Sequence, residues 1–114
     1  MTITVFISSE TMEIPASSPE PVSYASAVNL LREMPTDLEY DGNFIGFINE
    51  DDETVQFIRV SRDSWLMDIP IVVKGKYDHS LRKEELTTEN VESIVAEFFK
   101  GKNIEQISKS FKIN

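Results

Sequence analysis

Residues 46–72, GFINEDDETVQFIRVSRDSWLMDIPIV, alternate between apolar runs and short polar segments. With their flanking residues, the apolar runs cover 43–49, 54–60 and 65–73. Their β-branched and aromatic side chains favour strands. The polar connectors, 50–53 and 61–64, are too short to hold a crossover helix, so each strand must lie antiparallel to the one before it. This stretch therefore predicts an antiparallel meander.

The third apolar run indicates which face of the sheet lies on the core. Its residues alternate so that one face is uniformly apolar and the other is mixed. Pro70 has no N–H to donate to a neighbouring strand, which places this run at a sheet edge or breaks it at a bulge near Asp68. The apolar face consists of Trp65, Met67, Ile69, Ile71 and Val73.

The N-terminal part adds a strand, a loop and a helix. Residues 2–7, TITVFI, predict a first strand, and a short return strand begins around Met12 and Ile14. Residues 15–22, rich in proline and serine, predict a loop. Ser23 is a suitable N-cap for a helix that Pro35 ends, because the residue before proline is pushed out of the α region. We expect Met34 to be the last or next-to-last helical residue.

Between this helix and the meander, Asp41-Gly42 predicts a turn, since glycine accepts the positive φ that hairpin turns require. Leu38 and Tyr40 before it are expected in a short strand. Beyond the meander the chain is polar, and residues 77–80 predict a loop or a short strand.

The C-terminal part predicts two helices. Thr87 caps the first, Leu86 and Val91 form a hydrophobic staple across its start, and Gly101 closes its end. Its apolar stripe consists of Val91, Ile94, Val95, Phe98 and Phe99. A final short helix, residues 104–111, falls within the terminal segment 102–114.

This order of elements predicts the α+β class. We expect a single domain over residues 1–114, with an antiparallel β-meander sheet of four to five strands and helices packed on one face. A chain of 114 residues, 40% hydrophobic and 27% charged, is long and apolar enough to bury one core. It has no cysteine, so disulfides and thiolate chemistry are excluded.

The N-terminus lacks the basic and apolar regions of a signal peptide, and no run approaches the ~18 apolar residues of a membrane span. We therefore expect a cytoplasmic protein that does not insert into a membrane.

The negative charge is concentrated in the first half of the chain. The net charge is −9, and residues 1–57 contain eleven acids against a single base, Arg32. Such a field repels nucleic acid and anionic lipid, and it speeds encounter with a cationic partner. Solubility alone is the alternative explanation of this charge.

No motif indicates catalysis, a metal site or a cofactor. From Asn49 the sequence lacks the glycine that a calcium loop needs at its sixth position. His79 is the single histidine, and no nucleophile elbow or phosphate loop is present. An enzyme would need Asp68, Tyr77 and His79 in one pocket. We therefore expect no catalytic, cofactor-binding or metal-binding residues.

Four consecutive acids, Glu50, Asp51, Asp52 and Glu53, lie between the first two strands of the meander. They could form a ligand cluster, a surface that recognises a basic partner, or a solvated turn. A hairpin tip lets four like charges stay hydrated and apart. The last explanation predicts that replacing these acids changes stability little.

Four segments together resemble small bacterial single-domain proteins, including immunity proteins of polymorphic toxin systems. The segments are AVNLLREMP at 27–35, GFINxxxxTVQFIR at 46–59, WLMDIPI at 65–71 and VxxIVxxFF at 91–99. The resemblance spans residues 25–99. It implies a non-enzymatic domain that binds and neutralises a basic, nuclease-type toxin.

Under this hypothesis the electrostatic face for the partner consists of Glu39, Asp41, Glu50, Asp51, Asp52 and Glu53. The alternative is a self-associating structural or regulatory adaptor, in which the sheet edge near Pro70 or the terminal helix docks on a second copy to form a homodimer. A small enzyme with an unrecognised site is the third possibility.

Overall fold

The computed structural model describes residues 2–36 and 43–114, which form one antiparallel sheet and three helices. The strands are β1 (Thr4–Ser8), β2 (Glu13–Ile14), β3 (Glu20–Pro21), β4 (Phe44–Ile48), β5 (Thr54–Ser61), β6 (Ser64–Val73) and β7 (Lys76–Leu86). The helices are α1 (Tyr24–Arg32), α2 (Thr88–Phe99) and α3 (Ile104–Phe111). The predicted α+β class is confirmed, although the described residues form seven strands instead of four or five.

The strand order is β2-β1-β4-β5-β6-β7, with β3 also paired to β1. Strands β4 to β7 are consecutive neighbours, so the predicted meander is confirmed and extended by one strand. One row across the sheet joins Gly46 to Gln56, Asp68 and Arg82 in direct register. The short connectors explain this arrangement, because they allow only adjacent antiparallel pairing.

The core lies between one sheet face and the three helices. Alternate residues of β1, β4, β5 and β6 point to this face, and the predicted alternation of β6 places Trp65, Met67 and Ile69 there with no exposed surface. Ile71 is only partly buried and Val73 is 48% exposed, so the expectation that this face lies on the core is wrong at its end. The helices contribute the facing side chains Ala27, Leu31, Val91, Ile94, Val95, Phe98 and Ile107.

Helices α1 and α2 begin at the predicted caps. Ser23 accepts from the backbone N–H of Ser26, and Thr87 forms a reciprocal capping box with Asn90. Helix α1 ends at Arg32, slightly earlier than the proline argument predicts. The guanidinium of Arg59 on β5 donates to the carbonyls of Arg32 and Met34, so these end groups are satisfied outside the helix.

The expected loop or short strand at residues 77–80 is part of β7, an eleven-residue strand. The apolar alternation that indicates a strand is missing from this polar segment. Charged side chains are nevertheless typical of an edge strand, because they oppose pairing with other chains. Its edge is also partly covered, since the Arg82 N–H donates to the carbonyl of Asn114.

Two prolines take sheet positions. Pro70 lies opposite Ser80 of β7 and beyond Asp68, the last residue of β6 in register with β5. The edge explanation of Pro70 therefore holds for this half of β6 on its β5 side, and the register shifts of β6 with β7 lie between Trp65 and Met67 and between Ile71 and Val72. Pro21 pairs with Thr4 in the two-residue strand β3, so the loop expected over 15–22 is interrupted by an edge bridge.

The face opposite the helices contains a smaller apolar contact. The ring of Phe6 is 5% exposed and lies over Gly46, edge to face with Phe44 at a centroid distance of 6.0 Å. A residue larger than glycine at position 46 would overlap this ring.

The turn expected at Asp41-Gly42, and the strand around Leu38 and Tyr40, lie outside the described residues. The same is true of Glu39 and Asp41 in the expected partner face. In the described part of the chain the longest helix, α2, has twelve residues, and no helix has the length and apolar character needed to cross a membrane.

Candidate protein-binding groove

The acidic segment forms an ordered turn between β4 and β5. The side-chain carbonyl of Asn49 accepts from the N–H groups of Asp51 and Glu53 at 3.0 and 2.9 Å. The Asn49 N–H donates to the Glu53 carbonyl, and Asp52 takes a positive φ of 59°. Asparagine commonly organises turns in this way by mimicking a backbone acceptor. These bonds hold the backbone of residues 49–53 in a defined turn.

The four acids have different roles in this turn. One carboxylate oxygen of Glu53 accepts from Asn49 Nδ2 at 2.9 Å and from the Ile104 N–H at 3.3 Å, so it sits at the N-terminus of α3. Glu50 accepts from the Thr2 N–H at 2.6 Å. Asp51 and Asp52 are exposed. Glu50 and Glu53 thus help to hold the fold, and the solvated-turn explanation fits only Asp51 and Asp52.

An open groove of about 410 Å³ separates this turn from β6. It exists because the register of β5 with β6 ends at Gln56 and Asp68. Among the described residues, β6 beyond Asp68 pairs only with β7, and β5 begins at Thr54, directly after the acidic segment. The groove is lined by Asp51, Asp52, Glu53, Pro70, Ile71, Val72 and Ile104.

A second hollow of about 280 Å³ shares Ile71 and Ile104 with this groove. Leu81 of β7 completes its almost entirely apolar floor, and Ser108 lies beside it on α3. At its rim the exposed side chains of Glu105 and Lys109 form an ion pair of 3.1 Å. We call the two hollows together the acidic groove. It offers an apolar floor of Pro70, Ile71, Leu81 and Ile104 beside a rim that contains Asp51 and Asp52.

Local sequence patterns did not reveal this floor. Ile71 was expected to face the core, but both Ile71 and Ile104, the first residue of α3, are only partly buried. Pro70 was the available signal, because a proline that cannot donate to a neighbouring strand indicates that β6 has an unpaired side there. Contact between α3 and the acidic turn was not visible in the sequence.

The residues considered for an enzyme do not line the acidic groove. Asp68 lies on the face opposite the core, where it accepts from Arg82 Nε at 3.0 Å and from Gln56 Nε2 at 3.2 Å. His79 pairs with Asp78 and is largely exposed, and Tyr77 is 66% exposed. Within residues 2–36 and 43–114 no three His, Asp or Glu side chains are grouped so that they could hold a metal ion.

Two ionisable groups with displaced pKa values support the framework at the other end of the meander. Burial lowers the pKa of Arg59, whose guanidinium lies 5.1 Å from the centroid of the Trp65 ring, and Arg62 lowers it further. The pKa of Asp63 is lowered because its carboxylate accepts from the Thr88 N–H at 2.8 Å at the start of α2. Neither residue lines the acidic groove.

Comparison of the chain with models of protein families, with curated proteins and with solved structures finds no match. The acidic groove and the charge of the chain are therefore the features that indicate a function.

Proposed function

We propose that this chain is a non-catalytic domain that binds a basic protein in the acidic groove, and that this partner is a toxin which the domain neutralises. The observation that supports the proposal is the position of Asp51 and Asp52, both exposed, at the rim of an apolar floor. Solvated acids beside apolar surface match a partner segment that combines cationic and apolar side chains.

The two parts of the groove have different tasks in this proposal. The net charge of −9 and the exposed rim attract a cationic partner over distances of about 10 Å, and this steering weakens as salt screens it. The floor of Pro70, Ile71, Leu81 and Ile104 supplies the apolar contact that keeps the partner bound. Removing the rim charges should therefore slow association more than it speeds dissociation.

A two-stage experiment tests the proposal. The purified chain first captures proteins from a lysate of its own host, and a basic protein held in stoichiometric amount is identified by mass spectrometry. That protein is then expressed in a bacterial host with and without this chain. The proposal expects growth to stop without the chain and to recover with it. A captured protein that is harmless when expressed alone contradicts the toxin assignment.

Matched variants test the site itself. Asp51→Asn with Asp52→Asn removes two rim charges, and asparagine tolerates the positive φ at position 52. Glu13→Gln with Glu20→Gln removes two exposed charges from β2 and β3, the short strands that pair with β1. The first pair should reduce the association rate and flatten its salt dependence, and the second should leave both close to native. Equal effects of the two pairs would mean that general charge, and not the groove, attracts the partner.

A further inference from the structure

The hairpin that joins β6 to β7 ends in an exposed tip of mixed chemistry. Val72, Val73 and Tyr77 are 59%, 48% and 66% exposed, and they flank Lys74 and Lys76. The two connecting residues, Lys74 and Gly75, have φ values of 53° and 78°. Consecutive positive φ values are those of a tight type I′ turn, which matches the twist of a hairpin. Residues 72–77, the basic tip, are thus a defined projection.

The basic tip matches the acidic groove in chemistry. Its valines and tyrosine are apolar surface in contact with water, and its lysines are cationic. The groove offers apolar surface beside Asp51 and Asp52. Exposed apolar side chains gathered in one place, rimmed by polar residues, are typical of an interaction site. The two surfaces therefore complement each other in both charge and polarity.

The two surfaces are also adjacent on the same arm of the sheet. Val72 belongs to the basic tip and lines the acidic groove. Among the described residues this part of β6 has no strand partner on the β5 side, and an unpaired edge is a natural place for pairing between chains. A contact between two copies around a two-fold axis would bury the exposed tip and the unpaired edge of β6 in both copies, because an isologous interface uses the same patch on each subunit.

We propose that, while no other partner is bound, the acidic groove holds the basic tip of a second copy of this chain, so that two copies form a symmetric dimer by reciprocal exchange of their tips. In this dimer Lys74 and Lys76 of each copy meet Asp51 and Asp52 of the other, while Val72 and Tyr77 contact the apolar floor. The dimer and the complex of the proposed function use the same groove and exclude each other, so self-association does not depend on that function.

A charge-swap experiment tests the dimer. One variant carries Lys74→Glu and Lys76→Glu, and the other carries Asp51→Lys and Asp52→Lys. The fold itself indicates that these changes are tolerated, since Lys74 and Glu85 both occupy positive φ, the conformation of Asp52. Circular dichroism and the urea midpoint verify folding, and sedimentation equilibrium over the micromolar range measures mass.

Native chain should approach twice its monomer mass as concentration rises, and added salt should shift it toward monomer. Each variant alone brings like charges together, so its dimer dissociation constant should rise by about tenfold or more. An equimolar mixture restores both contacts, since the Glu tip meets the Lys groove and the Lys tip meets the Asp groove. The mixture should therefore dimerise where neither variant does.

A matched control carries Lys100→Glu and Lys112→Glu, which change two exposed lysines outside the acidic groove, one of them at a positive φ of 56°. It should self-associate like the native chain. The proposal is overturned if the native chain stays monomeric throughout, if both swap variants dimerise as the native chain does, or if the mixture remains monomeric.

Discussion

Replacing Gly46 by alanine should destabilise the protein through Phe6. A Cβ atom at position 46 would overlap three carbons of the Phe6 ring, so the ring must leave its place. It is 5% exposed there and packs edge to face against Phe44. Exposing a phenylalanine side chain costs roughly 1.5–3 kcal/mol, and a lost aromatic pair costs a further ~0.5–1.5 kcal/mol. Alanine recovers about 0.5–1 kcal/mol because it loses less backbone entropy than glycine.

The expected net loss for Gly46→Ala is therefore about 1–4 kcal/mol in the free energy of unfolding. The cause can be isolated with Phe6→Ala, which removes the ring and should itself cost about 3–5 kcal/mol. In the Phe6→Ala background the alanine at position 46 meets no ring, so it should be neutral or stabilise by up to ~1 kcal/mol.

Urea denaturation of the native chain, both single variants and the double variant gives the four free energies of this cycle. Unchanged m values would confirm that the comparison concerns stability alone. The proposed role of Phe6 is refuted if Gly46→Ala lowers the free energy of unfolding by the same amount, within about 0.5 kcal/mol, whether or not Phe6 is present.

Three further predictions concern other contacts. Glu53→Ala should lower the free energy of unfolding by about 1–2 kcal/mol, because the Ile104 N–H and Asn49 Nδ2 lose their acceptor. In the same urea titration, Asp51→Asn should change the free energy of unfolding by less than about 0.5 kcal/mol. Arg59→Met should lower the free energy of unfolding by about 2 kcal/mol, since it removes charged donors from the carbonyls of Arg32, Met34 and Arg62. A variant as stable as the native chain would contradict this role of Arg59. The bond from the Thr88 N–H lowers the pKa of Asp63, so its stabilisation is present above the pKa of aspartate in the unfolded chain and is lost as pH falls through the lower folded value. The difference in the free energy of unfolding between the native chain and Asp63→Ala should therefore have its full size at neutral pH and disappear in strong acid. A difference that persists in strong acid would exclude the bond to Thr88 as its cause.

Local sequence signals located most elements because the forces that form them act over a few residues. Ser23 and Thr87 mark helix starts through bonds to the first turn, and the alternation of Trp65, Met67 and Ile69 identifies the buried face of β6. The full length of strand β7 was not predicted, because its polar composition suits an edge position, and which strand lies at the edge depends on the whole sheet.

The α+β class, the antiparallel meander and the concentration of acidic residues in the first half of the chain all follow from the order of the residues. The different roles of the four acids at 50–53 follow from the folded structure. Glu53 accepts a hydrogen bond from the N–H of Ile104, which is 51 residues away in the chain, and no local sequence pattern can predict a contact over that separation. The acidic groove has the same origin, because its floor joins β6, β7 and α3 where the shorter β5 leaves β6 unpaired. Such surfaces depend on the relative lengths and packing of elements that are remote in the chain.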